Sequence, residues 1–387
     1  MQKSLKFLRD ERFLSLVVQV FFLALFFALG SFLMRNLFAN LRQQGLELGY
    51  SFFRLTSGFD IGESLIPYDR SYTYLQAFYV GLINTGYVSF LGIIFATILG
   101  VLFGIARLSR NFLVQQLARA YIEFLRNIPL LVLLIFWYLG VFLKLPRVKD
   151  ALTLPGSILL SNRGIAIPWG LPTDTYTLYR SVLLLGILLA AALFAYQTWS
   201  GRQSGRMPLR WLWSLFLILG IAVLGWLLLP AAPLSVELPM VQGLRIAGGK
   251  TLSPEFMALL SGLAIYTSAF IADVVRAGIQ SVSRGQVEAA RSLGFSSGKT
   301  LRLVVFPQAM RVIVPPLTSQ YLNLAKNSSL AVAIGYPDLF SVSGTILNQS
   351  GRAVEMISVV MATYLSISLL TSAFMNWYNQ RVRLVER

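Results

Sequence analysis

Eight apolar blocks, most of them long enough to cross a bilayer, constrain this chain more than any other feature. A spanning helix needs about 20 mostly apolar residues. The blocks fall at 13–34, 81–106, 128–143, 181–199, 211–229, 256–279, 312–335 and 353–377. The third is short, and the seventh is interrupted by Lys326-Asn327-Ser328-Ser329. Ala28-Leu29-Gly30 has the form of a signal-peptide cleavage triplet, but the apolar run continues to Met34, so the first block reads as a retained helix. The expected fold is an all-α integral membrane protein with about eight transmembrane helices. No stretch between blocks reaches 50 residues, which leaves no room for a soluble catalytic domain.

Composition agrees and removes several chemistries. Hydrophobic residues make up 56% and charged residues 13%, against about 25% charged in soluble globular domains. Without a single Cys or His, the chain lacks the usual agents of disulfide formation, thiolate attack, imidazole base catalysis and zinc or haem ligation. No cofactor and no metal is expected on it.

The 33 Lys and Arg outnumber the 16 Asp and Glu, for a net charge of +17. With eight spans both termini share one side, and that side collects 20 of the basic residues against 12 on the other, with Lys326 inside a span. The excess places both ends in the cytoplasm. It also explains the basicity without nucleic acid, because the cations are scattered over loops rather than gathered in a stripe.

The loops differ in character. Segments 35–80 and 144–180 are long and fall outside the cytoplasm, while the fourth and fifth blocks are joined by a short basic turn and form a hairpin. The cytoplasmic loop 280–311 reads as helix, tight turn, helix: residues 288–293 suit a helix, Gly294 supplies a left-handed C-terminal position, and a second helix starts near Lys299. Pro307 is expected to restrict the backbone of Phe306. In the second block Gly92, Ala96, Gly100 and Gly104 form a smooth stripe for close helix packing, so that helix faces protein. Asp273 and Arg276 read as a local i, i+3 ion pair. Gly243–Thr251 and Gly294–Thr300 each miss the P-loop spacing by one residue and lack its strand-to-helix setting, so this chain is not expected to bind ATP. Lys326, costly at depth by about 2.5–3.5 kcal/mol, lines a polar path with Asn327, Ser328 and Asn84 or pairs with a carboxylate of another helix.

The run Glu288-Ala289-Ala290-x3-Gly294-x9-Val304-x-Phe306-Pro307 resembles the EAA signature of the membrane subunits of bacterial ABC importers, with Val304 and Phe306 where Ile and Leu are common. Gly285-Gln286, Pro307-Gln308-Ala309, Pro315-Pro316-Leu317 and Arg126-Asn127-Ile128-Pro129-Leu130-Leu131 resemble the polar amino-acid importers. Ser319–Leu324, Gly335–Leu339, Phe374–Tyr378 and the motifs of the long outer loops resemble the eight-span permeases of general or neutral L-amino-acid importers.

The resemblance implies a type I ABC importer permease core at 76–143 and 254–387. Around it are an N-terminal helix and loop at 1–75 and a 144–253 insertion carrying the extra helix hairpin. It implies that the 280–311 loop docks on a separate ATPase through Gly285, Glu288, Ala289, Ala290, Arg291, Gly294 and Pro307. The small alanines allow close approach, Gly294 makes the turn and Glu288 offers a charge. ATP and Mg would then sit on the ATPase. The partners implied are ABC ATPase subunits, a second homologous permease and a periplasmic amino-acid-binding protein, with lipid around the whole in the bacterial inner membrane. The competing reading is an ion-coupled secondary amino-acid transporter. It would call for inverted repeats and several intramembrane carboxylates, but the spans hold only Asp273 and Glu355, each near an end.

Overall fold

The computed structural model describes residues 11–43, 49–204 and 210–382. Lys3, Lys6, Arg9, Arg206, Arg383 and Arg387, counted in the charge argument, lie outside them. Every apolar block is helical. In chain order the helices are α1 (Glu11–Gln43), α2 (Tyr74–Ala106), α3 (Phe112–Arg126), α4 (Leu130–Ile135), α5 (Tyr176–Ser204), α6 (Arg210–Leu228), α7 (Pro254–Gln280), α8 (Arg284–Ser292), α9 (Ser297–Thr300), α10 (Phe306–Asn327), α11 (Leu339–Ser350) and α12 (Ala353–Val382). Among the described residues, α1, α2, α5, α7 and α12 are each long and apolar enough to cross a membrane; α6 is a shorter apolar helix.

The two weakest expected spans are the bent ones. α4 runs on through a π turn, Phe136–Val141, to Lys144, and this segment is turned 106° from α3. The α3 stretch reads in the sequence as cytoplasmic loop because its Arg and Gln break up the apolar run; it is a helix with two different apolar faces. The helix containing α10 gives way at Ser328 to the tighter turns of Ser328–Ile334, then to α11 at 55°. Here the Ser328 and Ser329 hydroxyls donate to the carbonyls of Ala325 and Lys326, both at 2.8 Å. Such local bonds compete with the helical ladder.

α2 and α7 form the centre. Thr73 caps α2 with a reciprocal capping box to Gln76, and the Ser253 hydroxyl caps α7, accepting from the Phe256 amide at 3.0 Å. The small-residue stripe of α2 faces protein as expected. A Cβ on Gly100 would fall 2.5 Å from Ile271 Cγ2, and one on Gly104 would fall 2.8 Å from the Ala272 carbonyl oxygen. α5 and α6 pack as the expected hairpin, with Gly186 against Ile221, Gly225 against Val182, and the Tyr179 hydroxyl donating to Ala222 O at 3.1 Å.

The helical membrane architecture holds, with one addition to it and one correction. Residues 144–253 carry strands as well as helices: β1 (Leu152–Leu154), β2 (Ile158–Ser161), β3 (Gly164–Ile167), β4 (Trp169–Pro172), β5 (Leu234–Glu237), β6 (Met240–Gln242), β7 (Arg245–Ala247) and β8 (Lys250–Leu252). They pair antiparallel as β1-β2-β3-β8, β4-β5 and β6-β7, so the sheets join chain from before and after the hairpin. Strands of three or four residues are too short to leave a readable period of two. The Gly248-Gly249-Lys250 near-motif is a turn leading into β8, with Lys250 Nζ 4.5 Å from the centre of the Trp169 ring. The correction concerns Phe306, which stays helical at φ −59° and ψ −47°. The chain meets Pro307 with a π turn over Leu301–Val305 and continues into α10.

Candidate coupling elbow and translocation site

The elbow is α8, a turn and α9. Gly294, at φ +79°, closes α8: its amide donates to Arg291 O at 2.9 Å, and the Phe295 amide donates to Ala290 O at 3.1 Å. These are the paired bonds of a Schellman C-cap, which needs a residue without a Cβ penalty at the left-handed position. Ala290 is buried under the turn. Gly285, Glu288, Ala289, Arg291 and Gly294 are exposed, and neither Glu288 nor Arg291 takes part in an ion pair among the described residues. Pro307 is half-buried at the start of α10. The sequence reading passed over Leu293, which is 77% exposed at the tip of the elbow; a leucine just before the turn glycine was the available signal.

Behind the elbow, the carboxylate of Asp273 on α7 gathers three guanidinium groups. Arg107 lies at 2.7 Å, Arg276 at 3.6 Å, and Arg126 is in direct contact. Arg107 also lies 3.7 Å from Glu123, which Arg119 holds at 2.7 Å. The expected local pair with Arg276 is thus a minor member of a cluster tying α2 and α3 to α7.

Between α7 and α10 a polar cavity of about 270 Å³ is lined by Tyr266, Thr267, Phe270, Gln320, Asn323 and Asn327. Of the four pathway candidates only Asn327 reaches it. Lys326 is exposed and outside it, with no ion pair among the described residues, so the alternative of an interhelical carboxylate partner is not realised there. Asn84 is fully buried, its amide nitrogen donating to the carbonyls of Glu63 and Pro337, each at 2.9 Å. Ser328 is fully buried and bonds to its own helix. In this conformation neither lines the cavity. Gln320, Asn323 and Asn327 recur at i, i+3 and i+7, one face of a helix, and that stripe could have been read from the sequence.

A second polar cavity of about 410 Å³ opens at the other end, where Asp60, Glu63, Ser253, Glu255 and Ser341 contribute. Burial, with the Glu255 charge nearby, pushes the Glu63 carboxyl above its ordinary value against the Ser253 hydrogen bond. The exposed Asp60 is held below its own by Arg70.

The sequence pattern of the family described as binding-protein-dependent transport system inner membrane component matches residues 92–384. The chain belongs to that family, a permease of the inner membrane and not an ion-coupled secondary transporter. It is 42% identical to the general L-amino acid transport system permease protein AapQ of Rhizobium johnstonii, over 98% of this chain and 94% of that one. It is 39% identical to the glutamate/glutamine/aspartate/asparagine transport system permease protein BztB of Rhodobacter capsulatus, over 98% and 96%. A solved chain described as an amino acid ABC transporter crystallised with histidines aligns at TM-score 0.48 and 23% identity, over 80% of this chain and 95% of that one.

Proposed function

We propose that this chain is the transmembrane subunit of an ATP-driven L-amino-acid importer, with both termini in the cytoplasm. It pairs with a second, homologous permease and with ATPase subunits, which carry the ATP and Mg; the permease makes and breaks no covalent bond. An extracytoplasmic binding protein delivers amino acid to the face formed by 35–80 and 144–180. The observation that carries this reading is the elbow: a helix end closed by Gly294, presenting Glu288, Ala289, Arg291 and Leu293 outward with no partner within the described chain.

A rigid elbow transmits force because its geometry is fixed before the partner arrives. Ala290 anchors it from below, and the π turn and Pro307 join it to α10, so displacement of the elbow moves the wall of the α7–α10 cavity. Swinging an equilibrium from 1:99 to 99:1 takes about 5.5 kcal/mol, which nucleotide binding and hydrolysis can supply. The cavity itself carries no formal charge. Its amides offer both donors and acceptors, suited to the two ends of a zwitterion. Lys326, beside Asn327 but outside the cavity, is left to face the second permease or water rather than lipid.

Glu288→Arg is the direct test. The variant should insert and assemble like the parent yet lose ATP-dependent amino-acid uptake in proteoliposomes that contain the ATPase and the binding protein. Full uptake by assembled Glu288→Arg transporter would falsify the docking role.

A further inference from the structure

At the cytoplasmic ends of α2, α3 and α7, two cavities of opposite chemistry adjoin. One, of about 450 Å³, is polar and lined by Arg107, Gln115, Gln116, Arg119, Arg276 and Gln280. The other, of about 840 Å³, is apolar and runs between α2, α7, α10 and α12, with Val101, Ile105, Met310, Leu317 and Phe374 among its walls. Leu108 lines both. Next to it the chain passes from one cavity to the other within single steps, Val114 to Gln115 on α3 and Ile279 to Gln280 on α7. Along α2 the apolar groove extends from Thr97 to Ala106, a rise of about 14 Å.

We propose that this paired cavity binds one anionic phospholipid of the surrounding bilayer, its phosphate among the arginines and an acyl chain in the groove. The charge balance favours an anion. Arg107, Arg119, Arg126 and Arg276 face only Asp273 and Glu123 among the ion pairs there, leaving an excess of two positive charges. Arg276 is also the loosest of the three on Asp273: its Nε lies 3.6 Å from Oδ1 and makes no hydrogen bond among the described residues.

α3 supplies a second, independent indication. It has three faces: Ala118, Ile122 and Leu125 are buried against the core, Gln115, Gln116 and Arg119 line the polar cavity, and Leu113, Leu117 and Phe124 are each more than 60% exposed. A helix turned 106° from the segment it precedes, with such an unpartnered apolar face, has the form of a helix that lies in the plane of a membrane interface. Basic cavities between helices at that level take phospholipid head groups. Assignment to the cytoplasmic leaflet rests on the orientation proposed above; the site itself does not.

The test is native mass spectrometry of the delipidated transporter, assembled with its partners, after addition of palmitoyl-oleoyl phosphatidylglycerol, the matching phosphatidylcholine, or glycerophosphoglycerol alone. Phosphatidylglycerol should be retained over phosphatidylcholine, and the free head group should bind far more weakly than the lipid. Arg276→Gln should lower phosphatidylglycerol affinity about fivefold. The exposed Arg119→Gln should act in the same direction without risk to the fold, and Ile105→Trp should lower retention by filling the groove with every arginine in place. Equal retention of the two lipids would overturn the proposal, as would wild-type affinity in Arg119→Gln, and head-group binding as tight as lipid binding would remove the groove from it. None of these readouts depends on transport, so they stand apart from any failure of the coupling test.

Discussion

Asp273 and Glu288 are carboxylates at the same end of the molecule, and their surroundings are opposite. Asp273 has three guanidinium groups within 4 Å and a side chain only 20% exposed. Glu288 stands on an exposed helix with no ion pair among the described residues. The first is used up by the fold, because it joins α2, α3 and α7 into one body. The second is left over after the chain has satisfied itself, and a charge left over on a capped elbow suits the docking role proposed for it. The resemblance to a family signature points to position 288, and the contrast in partners supports the docking role proposed for it.

The largest expected effect tests the first half of that contrast. Asp273→Ala leaves Arg107, Arg126 and Arg276 facing one another with their common counter-charge removed. Breaking a buried pair from one side costs about 3–5 kcal/mol, and the remaining exposure of Asp273 puts this case near the lower end. Thermal melting in detergent should show a loss of several degrees or failure to fold. A melting temperature equal to wild type would mean that the cluster is ornamental and that the two carboxylates are less different than their contacts imply.

Next comes the packing that holds Asp273 in place. Gly100→Leu forces a side chain into the space filled by Ile271, two residues before Asp273 on α7. Overpacking typically costs about 1–3 kcal/mol, and here it should also separate α2 from α7 and lengthen the Arg107–Asp273 contact. A double-mutant cycle with Asp273→Ala should therefore be non-additive, the second change costing less in the presence of the first. Strict additivity would show that the helix contact and the ion cluster are independent.

How much of this was legible follows the same division. The spans could be read because bilayer thickness imposes a length, and the small-residue stripe because close packing admits few side chains. The elbow could be read because Gly294 and the Glu288-Ala289-Ala290 run state a conformation and a motif within a short window. The Asp273 cluster could not: Arg107 and Arg126 are 166 and 147 residues away, and only the folded chain brings them together. The setting of Asn84 was illegible for a related reason. A polar residue in a span is as easily a bond to a distant carbonyl as a wall of a path, and its bonds to Glu63 and Pro337 are also long-range. The amide stripe of α10 was local and could have been found by helical spacing. The short strands carried too few residues to be.

The smallest expected effect falls on the elbow and sharpens the contrast most. A Cβ added at Gly294 meets nothing within 4 Å, so the only cost of Gly294→Ala is the left-handed backbone at φ +79°. That penalty is about 1–2 kcal/mol for a residue with a Cβ, and an elbow making few contacts with the core can relax to escape part of it. Global melting should scarcely move. If the elbow is a preformed handle, relaxation of the Schellman turn should nonetheless reduce coupling, so that ATP hydrolysis in the assembled transporter continues while uptake per ATP falls. Loss of stability without loss of coupling would place Gly294 with Asp273, among the residues the chain uses on itself.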